Sequence, residues 1–290
     1  MSTPPAVAQP VLAPAPSLRR VLAFLGAALA VSTALSLPFA FGALPPEAVG
    51  LAVPLAQLSP LLAALLVRRR GAPWWRALAL AVPSWRALGV AAIAAIAAFV
   101  AVPLARVLIG LGAGMPPSAD ALPLSSLLLA VPAVLVMQSL FAIGEEAGWR
   151  GWLHGELRPL GFWPMSLLVG VMWAVWHAPI VLALGLAPRE AVTYLGTIVA
   201  VAPLLSALRE ISGTAWVAVL GHGLLNSARV AIEQNVLGPL EPETAWLLDL
   251  SSWALWIAAA WMVLRLGGTL RRADAALPAA AGSGRARPGR

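Results

Sequence analysis

Three short polar stations interrupt an otherwise apolar chain. Glu145 and Glu146 stand side by side with Arg150 four residues after the second, Trp173 precedes His177 by four, and His222 precedes Asn226 by four. On a helix, residues four apart share a face, so Glu146 can pair with Arg150. Glu145 points about 100° away and has no cation three or four residues off. A carboxylate left without a cation in an apolar setting suits a general base. Two imidazoles can polarise an oxygen or ligate a metal, and a carboxamide can donate to an oxyanion. Glu145, Glu146, Arg150, His177, His222 and Asn226 are therefore the candidate catalytic residues. Glu145, His177 and His222 also match the ligand types of a catalytic Zn2+ site, and they fit a metal-free water-activating site equally well. Cysteine is absent, which excludes disulfides, thiolate ligands and a cysteine nucleophile.

The elements that carry these stations must be membrane helices. Of 290 residues, 60% are hydrophobic and 11% charged, with a mean hydropathy of +0.86. That is more apolar surface than one soluble core can hide. The expected fold is all-α, a polytopic membrane helix bundle of about eight transmembrane helices. The runs lie at about 21–43, 49–67, 88–111, 124–144, 162–184, 191–208, 214–236 and 246–263. Residues 1–18, rich in Pro, Ala and Ser, read as a disordered tail, residues 19–270 as the membrane domain with its motif-bearing core at 124–236, and residues 271–290 as a flexible basic tail.

The formal charge is +7, and all 19 basic residues are arginines. With eight spans, all of them except Arg106, Arg189 and Arg229 fall on one side, which puts both termini in the cytoplasm. No soluble module gathers the arginines for nucleic acid, so the expected partners are the lipid bilayer and a peptide or membrane-protein substrate. Trp74, Trp75 and Trp85 beside the basic loop look like an interfacial belt, and the other tryptophans read as belts and core filling. His154 is expected at the interface and solvated, Glu210 in a loop, and Arg106 and Arg229 snorkelling or paired. No further paired charges within spans stand out.

Depth sets one more condition. At about 1.5 Å per residue, His222 lies roughly 12 Å and His177 roughly 22 Å in from the cytoplasmic ends of their spans. Glu145 meets them only if the fifth span begins later, or if its own helix runs on past Arg150 inside the protein with its polar side toward a cavity; the second is expected, because leucine and tryptophan keep helical spacing through Leu157.

The order E-E-x-x-x-R, aromatic-x-x-x-H, H-x-x-x-N on apolar helices resembles the CPBP family of intramembrane proteases, which includes CAAX prenyl endopeptidases and bacteriocin-processing relatives. The resemblance covers about Leu124 to Val236, and Trp173 departs from it, phenylalanine being more frequent there. It implies an intramembrane endopeptidase in which Glu145 and His177 activate water while His222 and Asn226 hold the oxyanion. The family is described both as zinc-dependent and as metal-independent glutamate proteases. The all-arginine, alanine-rich composition looks like that of a GC-rich bacterium, hence a multi-pass protein of the bacterial inner membrane acting on something other than a prenylated CAAX protein. Two competing readings are a catalytically silent membrane scaffold that binds a partner helix, and a haem or transport protein using His177 and His222.

Overall fold

Within a bilayer every backbone N–H and C=O must be satisfied by the protein itself, and a single segment achieves this only as a helix. The computed structural model describes residues 15–71, 73–238 and 241–276, and no strand occurs among the described residues. The α-helices are α1 (Leu18–Ala40), α2 (Val49–Ala56), α3 (Ser59–Val67), α4 (Trp74–Ala77), α5 (Trp85–Gly112), α6 (Leu124–Glu146), α7 (His154–Leu157), α8 (Phe162–Ala183), α9 (Pro188–Ser212), α10 (Trp216–Asn226), α11 (Ala228–Val236) and α12 (Pro242–Ala276). Among the described residues, seven stretches are long and apolar enough to cross a membrane: Leu18–Ala40, Pro46–Val67, Trp85–Gly112, Leu124–Leu160, Phe162–Ala183, Pro188–Ser212 and Pro242–Thr269. The fold is an all-α polytopic bundle. The expected tails fall largely outside the described residues, at 1–14 and 277–290.

The expected seventh run, 214–236, is not one helix but two. Its chain breaks at Ser227, where φ is −123° and ψ −80°. The Ser227 hydroxyl donates to the Gly223 carbonyl at 2.6 Å, four residues back, and Asn226 beside it is a weak helix former. Asn226 thereby becomes the last residue of α10 instead of a mid-helix side chain.

The carboxylates do not end their helix. After Glu146 the chain widens into a π-helical turn, Ala147–Leu153, and continues into α7, so the whole segment from Gly144 to His154 is buried. Such wide turns recur at functional sites. Arg209 Nε, from the end of α9, donates to the Arg150 carbonyl at 3.2 Å and ties the turn in place. His154, expected in solvent, is only 1% exposed, and its Nε2 lies 2.9 Å from Glu210 Oε1. Glu210 itself sits on α9 and not in a loop, because α9 runs on to Ser212 and stops only at Gly213. His154 can be buried because Glu210, 56 positions away and only partly exposed, gives its ring a partner.

Gly144 and Gly148 line the face of this segment that meets the break between α2 and α3, and Gly151 lets it approach the backbone of Leu78 after α4. A side chain on Gly144 would run into the Gln57 carbonyl and come within 2.9 Å of Leu58 Cα, and one on Gly148 would lie 2.5 Å from Pro60 Cβ. Gly148→Ala should therefore lower stability by about 1–3 kcal/mol, the cost of overpacking a close contact. Gly155→Ala, with nothing within 4 Å of the added methyl, should not. Thermal unfolding of both variants in detergent checks the contrast, and equal midpoints would refute it. Phe24 of α1 closes the other side against Trp149 and Trp152, at ring distances of 5.1 and 4.9 Å.

Candidate active site

All three polar stations reach one region, because α6 with its π turn, α8 and α10 pack around it. Glu145, Glu146 and Arg150 are fully buried, and His177 and His222 nearly so. Glu146 Oε1 accepts from Arg150 Nη1 at 3.0 Å, the pairing the spacing predicts, and lies 2.8 Å from His222 Nδ1. The Arg150 guanidinium sits over the Trp173 ring, 4.2 Å from its centroid. A cation is thus held between a carboxylate and an aromatic face where water cannot solvate it.

Glu145 is arranged differently. Its Oε1 accepts from Gln57 Nε2 at 2.8 Å and its Oε2 from Trp173 Nε1 at 2.5 Å, and neither donor carries a charge. His222 Nε2 lies 4.0 Å from Oε1. Two groups so separated are too far apart for a direct hydrogen bond and close enough to share one water. His177 Nδ1 lies 3.0 Å from the Trp173 carbonyl, and a carbonyl only accepts. That nitrogen therefore carries the hydrogen, and Nε2 of the neutral ring keeps its lone pair.

A cavity of about 1340 Å³ opens onto this cluster. Its wall includes Gln57, Glu145, Trp173, His177, His222 and Asn226, whereas Glu146 and Arg150 stand behind it. Its rim carries the exposed apolar side chains of Leu51, Leu55 and Met137. As a metal site the set is incomplete: among the described residues no three His, Asp or Glu side chains gather as ligands.

Sequence reasoning missed several cavity residues. Tyr194, the chain's one tyrosine, lies 5.5 Å ring to ring from His177. Gln57 is a lone amide inside the second apolar run, bracketed by Pro54 and Pro60, and that bracket was the available signal. The expected lack of further paired charges within spans is also wrong. Asp249, on α12, takes Arg106 Nη2 at 3.0 Å and Arg189 Nη2 at 2.6 Å, and Arg229 pairs with Glu233 at 2.9 Å. Arg106, Arg189, Arg229 and Asp249 line the same cavity as Glu145. All but the last of these pairs join helices remote in sequence, which a helical spacing rule does not see.

A comparison with curated proteins returned no match. A family model, the type II CAAX prenyl endopeptidase Rce1-like family, matches residues 125–228. That segment contains Glu145, Trp173, His177, His222 and Asn226 of the cavity wall and Glu146 and Arg150 behind it. The resemblance read from the three stations and this match agree: residues 125–228 of this membrane protein are similar to the Rce1-like family of CAAX-type proteases.

Proposed function

We propose that this chain is an intramembrane endopeptidase that hydrolyses a peptide bond in a hydrophobic or membrane-associated peptide, with Glu145 as general base and no metal. The observation that carries this reading is a fully buried carboxylate on a cavity wall, bonded among the described residues only by uncharged donors and one water's width from His222.

In the reaction, Glu145 takes a proton from the water it shares with His222, and the oxygen attacks the carbonyl carbon of the substrate. The tetrahedral oxyanion is met by the Asn226 carboxamide and by Nε2–H of His222. In its cationic form His222 is balanced by the carboxylates of Glu145 and Glu146. The C–N bond then breaks as the proton passes to the leaving amine, with the Nε2 lone pair of His177 as relay. Glu146 and Arg150 act one layer back, by holding His222 and Trp173. The apolar rim suits access by a substrate that is itself lipid-borne. We also read α10 and α11 as together completing an eighth crossing, so that both termini face the cytoplasm where the arginines gather.

The metal-free reading has a direct test with purified protein in liposomes and a fluorogenic peptide copied from a cleavage site found by comparing new protein termini in cells with the wild-type protein and with Glu145→Gln. Cleavage should persist in 1,10-phenanthroline, with less than about one zinc per ten chains bound. Cleavage that stops with the chelator and returns on adding zinc would contradict it.

A further inference from the structure

Gln57 lies outside residues 125–228 and outside every polar station, yet it makes one of only two hydrogen bonds to Glu145 found among the described residues. It is 8% exposed and sits where α2 ends and α3 has not begun. An unbonded amide at such a place would be costly, so its bond to Glu145 counts. Its position is also built from the facing helix. Gly144, the residue before Glu145, has no side chain, and this lets the Gln57 backbone settle directly against α6. The Gln57 amide and the Trp173 indole then approach the carboxylate on different oxygens, at 2.8 and 2.5 Å. An ionised carboxylate offers about four acceptor positions, so each oxygen keeps one for another partner.

We propose that Gln57 is a positioning residue for the hydrolysis: with Trp173 it clamps Glu145 at two points and aims the remaining acceptor position of Oε1 at the water shared with His222. The proposal rests on Glu145 being the base. It also gives the departure at position 173 a chemical meaning, since phenylalanine would fill the space over Arg150 but leave Oε2 without its donor. A clamp of this kind acts on geometry at the reacting atoms, where a misplacement of about 1 Å can cost on the order of 100-fold.

The test uses the same chain in liposomes with the fluorogenic peptide copied from a cleavage site found in cells, comparing wild type, Glu145→Gln, Gln57→Met, Trp173→Phe and the Gln57→Met/Trp173→Phe pair. Methionine matches glutamine in length and apolar fit but has no N–H. Gln57→Met should lower kcat by about 10- to 100-fold and leave KM within about twofold of wild type. Trp173→Phe should do the same. The pair should lose less than the product of the single losses, because either release already frees the carboxylate to swing. A purely structural role would lower the unfolding midpoint and spare kcat. Should Gln57→Met not fold, Gln57→Asn is read in its place, since it keeps the amide but falls one methylene short. A kcat within about twofold of wild type, or a change confined to KM, overturns the proposal while Glu145→Gln remains inactive. If Glu145→Gln cleaves like wild type, or wild type leaves the peptide intact, the protease reading fails and this inference falls with it.

Discussion

Arg150→Ala should cost this protein about 3–5 kcal/mol of stability, the largest single-residue effect expected away from the reacting atoms. Arg150 and Glu146 are both fully buried and paired at 3.0 Å, so alanine leaves a carboxylate in the interior with its cation gone. The loss extends further, because Glu146 also anchors His222 Nδ1 and the guanidinium supports the Trp173 ring. Lysine should restore little, since a point charge cannot both meet Glu146 and spread over the indole. The informative variant is the double replacement Glu146→Gln/Arg150→Met. It removes both charges together and should recover a large part of the lost stability. Thermal unfolding in detergent, with near-ultraviolet circular dichroism following the buried tryptophans, measures the series. An unchanged midpoint in Arg150→Ala would mean that the buried pair does not stabilise the fold.

Asn226→Ala should leave the fold intact and lower kcat by about 100- to 1000-fold with little change in KM, the signature of a donor that acts only when the oxyanion forms. The carboxamide faces the cavity from the last position of α10 and has no hydrogen bond to another described residue, so its removal strands no partner. His222→Ala should lose at least as much rate and some stability as well, because Glu146 would lose one of its two partners. A loss in Asn226→Ala confined to KM would place this residue in ground-state binding and not at the oxyanion.

These two expectations differ in how far the sequence alone could reach. The Glu146–Arg150 pair was legible because helical spacing brings residues four apart together, and even a π turn does not undo it. The convergence of the stations at 145, 177 and 222 was legible as a condition on depth, and the helix running on past Arg150 meets it. What stayed hidden depends on contacts between helices. Nothing in the run around Gln57 says which helix it will face. That is decided by Gly144 and Gly148, nearly 90 residues later, which let two backbones meet. Asp249 likewise draws in Arg106 and Arg189 from two other helices, and His154 finds Glu210 across the bundle. The break at Ser227 turns on one hydroxyl choosing a backbone carbonyl, a local competition that an apolar run conceals.

The central claim is that the cavity cuts peptide bonds through Glu145. The most direct measurement compares new protein termini and membrane peptides, by mass spectrometry, in cells carrying the wild-type protein and cells carrying Glu145→Gln at matched abundance. The account predicts a defined set of termini present with wild type and missing with Glu145→Gln, their flanking residues apolar and membrane-associated. Identical termini in the two strains would contradict it and leave a membrane protein that binds its partners without cutting them.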